Sequence, residues 1–103
     1  MIEHVLQRQV LAHLHQLPRC FFWRANTGSA RRGSQVVRFG LPGQSDILGT
    51  AAGRFVAIEL KTDVGRQSAE QRTFQASVER GGGLYILARS LDDALNPIRE
   101  LLR

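Results

Sequence analysis

Ile2, Val5, Leu6, Val10, Leu14 and Leu17 recur at three- and four-residue spacing, which predicts an amphipathic first helix ending before Pro18. The pattern then changes: residues 19–25 are aromatic-rich and read as a strand. Residues 26–34 are polar, basic and punctuated by glycine, as a loop would be. Residues 35–39 and 46–50 read as short strands, separated by a turn over residues 40–45 that contains Pro42 and Gly43. Ala51-Ala52-Gly53 leads into a strand over residues 54–61, where Phe55, Val56, Ala57 and Ile58 run into Glu59-Leu60-Lys61. After a loop over residues 63–67, a helix is expected at 68–80. Its apolar stripe, Ala69, Phe74, Ala76 and Val78, is less regular than the first, and Gly81-Gly82-Gly83 ends it. Residues 84–88 form the last strand, and Ser90 opens a final helical segment that Asn96-Pro97 can break and restart. There is no internal repeat. The order, read as αβββαβα, implies a single α/β domain with a mixed central sheet flanked by helices.

The charges at the end of the 54–61 strand stand out from this background. Thirteen of the fourteen basic residues are arginine, and the single lysine, Lys61, follows Glu59 by two positions. An ammonium is a compact point charge, whereas guanidinium is a planar fork. Residues i and i+2 of a strand share a face, so Glu59 and Lys61 aim a carboxylate and an ammonium at one spot. Asp46 opens the preceding strand. If the two strands are antiparallel neighbours, Asp46 meets the Glu59 end, and two converging carboxylates suit Mg²⁺, which takes few carboxylates and keeps several waters. Taken alone, Asp46 is better explained as a turn or cap carboxylate, whereas with Glu59 and Lys61 beside it the alternative is a surface ion pair, for which so apolar a strand is an odd location.

Composition adds direction. The chain has 103 residues, 43% hydrophobic and 22% charged, which is one globular domain with no room for a second core. A net charge of +5 favours a polyanionic partner, nucleic acid first. No apolar run approaches the ~20 residues of a membrane span, and no signal-peptide pattern opens the chain. Cys20 is the only cysteine, which excludes an intramolecular disulfide and a cysteine-rich metal site. The expected compartment is the cytosol. His13 and His15 at i,i+2 point to different sides of a helix, so His4, His13 and His15 make a poor zinc site. H-E-x-x-H, P-loop and G-x-S-x-G motifs are absent.

Pro42-Gly43-Gln44-Ser45-Asp46 followed by Glu59-Leu60-Lys61 resembles the PD-(D/E)XK nuclease pattern. Further residues are similar to the VRR-NUC (virus-type replication-repair nuclease) family. They are Glu3 and Gln7, Arg24-Ala25-Asn26-Thr27-Gly28, Arg38-Phe39-Gly40, Ser68-Ala69-Glu70-Gln71 and Gly82-Gly83-Leu84-Tyr85. The likeness spans nearly the whole chain in order, with Pro97 as a departure from the smooth last helix expected. It implies a restriction-endonuclease-like domain that hydrolyses DNA phosphodiester bonds with Mg²⁺ or Mn²⁺. Asp46, Glu59 and the Leu60 backbone carbonyl would hold the metal. Lys61 would hold or deprotonate the attacking water, or stabilise charge on the phosphate. Glu3 is the first-helix acid of the family, although an acid is favoured in a first helical turn anyway. Gln71 is associated with the site in the family, while Ser68-Ala69-Glu70-Gln71 also fits a capping box.

Arg31, Arg32, Arg38, Arg66 and Asn26 are the residues expected on DNA. Stand-alone members look like Holliday-junction resolvases of bacteria and phages, which implies a homodimer acting on branched DNA. Phe21-Phe22-Trp23, with neighbours alternating faces, offers hydrophobics for that interface. The alternatives are a non-catalytic basic DNA-binding module on the same scaffold and an interaction domain for protein or RNA. Two acids beside phosphate count against the first, because they repel DNA unless a cation intervenes.

Overall fold

The computed structural model describes residues 3–25 and 28–103. Helix α1 (Glu3–Leu14) is followed by strands β1 (Cys20–Arg24), β2 (Gly28–Arg32), β3 (Gln35–Phe39), β4 (Ile47–Ala51) and β5 (Arg54–Leu60). Helix α2 (Ala69–Arg80), strand β6 (Leu84–Ala88) and helix α3 (Leu91–Leu101) complete the order. The central sheet is β1-β4-β5-β6, antiparallel except for the parallel pair β5–β6. The protein is therefore a mixed α/β domain, as expected, with the order αβββββαβα in place of αβββαβα; of its six strands only β2 was not read along the chain.

One strand, β2, corrects the reading of residues 26–34 as a loop. Gly28–Arg32 pairs antiparallel with the expected strand Gln35–Phe39 through the Gly33-Ser34 turn, forming a separate ribbon. The apolar content of Gly28–Arg32 is low and does not alternate, so pairing makes this strand where pattern gave no sign of it. Among the described residues its extensive contacts are between its own two strands. The principal extents, 50 × 31 × 24 Å, make the molecule elongated.

The first helix is shorter than expected. It ends at Leu14, and Leu17 packs against the core from the turn that follows. Conversely, α3 runs through Pro97 without breaking. A proline inside a helix forfeits one backbone hydrogen bond and crowds the carbonyl four residues back. Burial of Ala94, Leu95 and Ile98 on both sides of Pro97 holds the helix against the sheet across that defect. In α2 only Val78 is buried and Phe74 partly so, whereas Ala69 and Ala76 are exposed. The irregular stripe therefore covers little.

Alternation sorts the sheet into two faces. Phe22, Ile47, Ala51, Val56, Ile58, Leu60, Ile86 and Ala88 face α1 and α3, packing with Leu6, Val10, Leu14, Ala94, Leu95 and Ile98 into the main core. The opposite face carries Ala57 and Tyr85 against Val78 of α2, with Leu48 and Phe74 partly buried beside them. Helix α2 lies over β6 and leaves the β1 side of this face open.

The β4–β5 hairpin turns through Ala52 (φ 52°) and Gly53 (φ 81°), both left-handed as a two-residue type I′ turn requires. That turn fixes Ala51 against Arg54 and, at the far end, Ile47 against Ile58. One step beyond, the same register brings Asp46 opposite Glu59. A slip of one residue would send both carboxylates to opposite faces.

Candidate active site

Asp46 lies just ahead of β4, and its carboxylate Oδ2 accepts from the Leu60 backbone N–H at 2.8 Å. Its own carbonyl accepts from Ala25 N–H at 2.8 Å, which continues the β1 pairing past Arg24. Glu59 sits in the most apolar stretch of β5 and is only 2% exposed. Its Oε2 accepts from Gln71 Nε2 at 3.0 Å and faces Lys61 Nζ at 3.7 Å. Its Oε1 is buried with no donor, and the Asp46 carboxyl lies within side-chain hydrogen-bonding reach of Glu59.

Burial first, and then the Asp46 charge, push the Glu59 carboxyl up to about 8 against the pull of Lys61, so the protonated form of Glu59 is favoured beside Asp46. A divalent cation fits the same place: it prefers hard carboxylate oxygens and would satisfy the orphaned Oε1. Among the described residues no group of three or more His, Cys, Asp or Glu side chains is placed to hold a metal. An ion here would rely on the Asp46–Glu59 pair, a backbone carbonyl such as that of Leu60, and water.

Gln71 fills both roles the sequence left open. Ser68 Oγ accepts from Gln71 N–H at 3.1 Å, and Gln71 Oε1 accepts from Ser68 N–H at 2.9 Å, completing the capping box. The amide has its nitrogen left over, and that nitrogen donates to Glu59. The cap therefore fixes the rotamer that points the amide at the carboxylate. The turn of residues 41–44 delivers Asp46 from the other side. Gly43 (φ +73°) passes so close to α2 that a Cβ there would lie 2.2 Å from the Glu70 backbone carbonyl. Only glycine satisfies both the left-handed backbone and that approach.

Glu3, in the first turn of α1, is exposed, and no hydrogen bond or ion pair places it directly on the two acids. It is nonetheless in their field: desolvation first and then Asp46 raise its carboxyl, while Lys61 lowers it. Lys61 is 17% exposed, so its ammonium opens towards solvent. Arg66 is exposed in the β5–α2 loop. Arg31 and Arg32 are exposed on β2 and not in a loop, so as strand neighbours they point to opposite sides of the ribbon. Asn26 and the Arg38 side chain lie outside the described residues. His4, His13 and His15 are all exposed.

Three residues near the acids were not singled out as site residues from sequence. Gln67 Nε2 donates to the Tyr85 hydroxyl at 3.1 Å and to Gln75 Oε1 at 2.8 Å. Burial raises the Tyr85 phenol, the Gln67 hydrogen bond opposes it, and the Glu59 charge adds to the rise. Ser45 is buried beside Asp46 with its hydroxyl unpartnered. Ser45 and Tyr85 do fall within the motif stretches, which was the available signal; Gln67 gave none. Comparison with protein-family models, with curated proteins and with solved structures returns no match.

Proposed function

We propose that this protein is a Mg²⁺- or Mn²⁺-dependent DNA endonuclease of the VRR-NUC type, on a restriction-endonuclease-like scaffold, that prefers branched or four-way junction DNA. One observation carries the reading: a carboxylate pair, Asp46 and Glu59, with a buried oxygen lacking any donor and the chain's single ammonium 3.7 Å from the other oxygen. Arginine-rich charge of +5 supplies the attraction for a phosphate backbone that the acids would otherwise repel.

Asp46, Glu59 and the Leu60 carbonyl would hold a divalent ion, which when bound would supply Lewis-acid charge at the scissile phosphate and acidify water. The remaining work falls to the chain. Lys61 presents a point ammonium where an attacking water or a phosphate oxygen would lie, and holds it, deprotonates it or neutralises its charge. Gln71 keeps Glu59 in one rotamer, and Leu60 N–H does the same for Asp46. Nothing in the site reads base edges, so recognition rests on shape and backbone.

The second reading, a non-catalytic DNA-binding module, draws on the pair's having, among the described residues, no third acid grouped with it as a metal ligand. Incubating the protein with four-way, nicked and linear DNA, with Mg²⁺, Mn²⁺ or a chelator, separates the two. Metal-dependent cleavage, fastest on the junction, is expected. Binding to all three DNAs without cleavage under either metal would leave the module reading in place.

A further inference from the structure

Strand β1 divides its aromatics between two faces. Phe22 is 4% exposed and belongs to the main core, whereas Phe21 and Trp23 are 68% and 44% exposed on the open face of the sheet. Their ring centroids stand 5.6 Å apart, tilted by 42°. Neither ring joins either core cluster, so the fold gains little from them.

Register ties this pair to the acids. Trp23 stands opposite Leu48 and Phe21 opposite Thr50, while Ala25 N–H bonds the Asp46 carbonyl at the other end of β1. Trp23 and Phe21 therefore lie roughly 7 and 13 Å along the strand from the step that carries Asp46, on the face that Asp46 and Glu59 share.

The same hydrogen bonds fix which backbone groups of β1 are free. Ala25 N–H bonds Asp46 and Ala52 N–H bonds Arg19, so Arg19, Phe21, Trp23 and Ala25 turn their backbone groups inward to β4. Phe22 and Arg24 turn theirs to the outer edge, which meets no other strand among the described residues. Arg24 is exposed, and among the described residues it is paired with no carboxylate.

We propose that Phe21 and Trp23 form a stacking platform for unpaired bases of a DNA strand whose phosphates follow the outer edge of β1 towards Asp46 and Glu59. Aromatic rings exposed on an open sheet face stack bases through their π-faces. The outward N–H groups of Phe22 and Arg24 and the Arg24 guanidinium are donors of the kind that hold phosphate oxygens, in a chain of charge +5. An apolar partner would cover the rings but bring no anion to the donors beside them; a nucleic-acid strand supplies both. Duplex DNA does not fit, because its bases are paired inside the helix at a step of about 3.4 Å. Rings 5.6 Å apart call for bases already unstacked.

The binding site stands without catalysis. Its use rests on the nuclease reading, which it narrows from branched DNA to branched DNA with unpaired nucleotides beside the scissile phosphate. Stacking is blind to base identity, in keeping with a site that reads no base edges.

Fluorescence of Trp23, the sole tryptophan, reports on the platform directly. Titrating the full chain, in chelator so that nothing is cut, with an oligothymidylate of about ten nucleotides should quench the emission to saturation. An abasic strand of the same length carries the phosphates without the bases. It should bind about ten-fold or more weakly and leave the emission unchanged, as should a blunt hairpin duplex. Phe21→Ala should lose a similar factor for the thymidylate strand and nothing for the abasic one. It should melt like wild type, since Phe21 lies outside the core, and Phe21→Tyr should keep the affinity. Equal affinity for base-bearing and abasic strands, or wild-type binding by Phe21→Ala, would overturn the platform. A duplex that quenches Trp23 as fully would overturn the preference for unpaired bases. A chain that stacks the strand but cuts no DNA with Mg²⁺ or Mn²⁺ refutes the nuclease reading alone. One that cuts a four-way junction while its emission ignores the thymidylate strand refutes the platform alone.

Discussion

The two faces of the central sheet are cut from the same strands, yet one is closed and the other is not. Towards α1 and α3, the buried positions of β4 and β5 are apolar or glycine, and the layer ends in a core of Leu, Ile, Val and Ala with Phe22. Towards α2, the same strands carry an aromatic row at the β1 side and an acidic row at the end, with Glu59 buried among them. A closed face needs only volume and pattern. The open face accepts a buried, partly unsatisfied carboxylate, a cost that a stability-only design would avoid. The contrast teaches that the α1/α3 face holds the fold while the α2 face carries the acids on which the proposed chemistry depends, and each expectation below is a way to break one without the other.

The largest effect is expected from the acids. Asp46→Asn and Glu59→Gln should abolish cleavage while DNA binding, followed by gel shift, survives or improves as repulsion of phosphate is relieved. Cleavage by either variant near the wild-type rate across a Mg²⁺ titration would remove that residue from the site. Lys61 comes next. Lys61→Arg should be nearly as damaging as Lys61→Ala, a loss on the order of 10²-fold or more in turnover, because a fork cannot replace a point ammonium. Retained activity in the arginine variant would reduce Lys61 to a generic positive charge.

Gln71 and Ser68 divide capping from positioning. Ser68→Ala removes the cap's side-chain acceptor and should cost about 1 kcal/mol of stability with little loss of rate. Gln71→Ala loses the reciprocal cap bond and the contact to Glu59, so about 10- to 100-fold in activity or metal affinity should go with it. Equal activity in the two variants, measured at matched stability, would make Gln71 a cap and nothing more.

The Glu59 proton predicts how metal-free stability changes with pH. Its carboxyl titrates at about 8 in the folded protein and near 4.5 when unfolded, so the folded state holds a proton the unfolded chain has released. That contribution is full below 4.5, declines as pH rises towards 8, and is gone above it. Urea denaturation with chelator at several pH values should show this decline, and Glu59→Gln should flatten it. A wild-type curve rising over the same range would contradict the buried, protonated Glu59. The smallest effect belongs to the ribbon. Arg31→Ala with Arg32→Ala should weaken DNA binding and shallow its salt dependence by about one to two units of slope. Since the two side chains point to opposite sides of β2, one unit rather than two would mean that only one side of the ribbon meets phosphate.

How much of this was legible depended on whether a feature is local. The β4–β5 hairpin, with Gly53 after two alanines and strands on both sides, brought Asp46 and Glu59 together on paper because its register follows from a short turn. Ser68-Ala69-Glu70-Gln71 showed its capping box for the same reason. Only one strand of the ribbon showed itself, Gln35–Phe39; Gly28–Arg32 is a strand only through that partner. Pro97 misled because a local helix breaker is overruled by the burial of Leu95 and Ile98. Gln67 reaches Tyr85 beside the acids through tertiary packing, for which no spacing in the chain is a sign.

The central claim is that a divalent cation takes the place of a proton between Asp46 and Glu59 and thereby enables phosphodiester cleavage. Mn²⁺ titrated into the protein by calorimetry, beside cleavage of a labelled four-way junction over the same concentrations, tests it most directly. The account predicts no product in chelator, binding and cleavage that saturate together, and loss of both in Glu59→Gln. Cleavage that persists in chelator, or Mn²⁺ binding in Glu59→Gln indistinguishable from wild type, would contradict it.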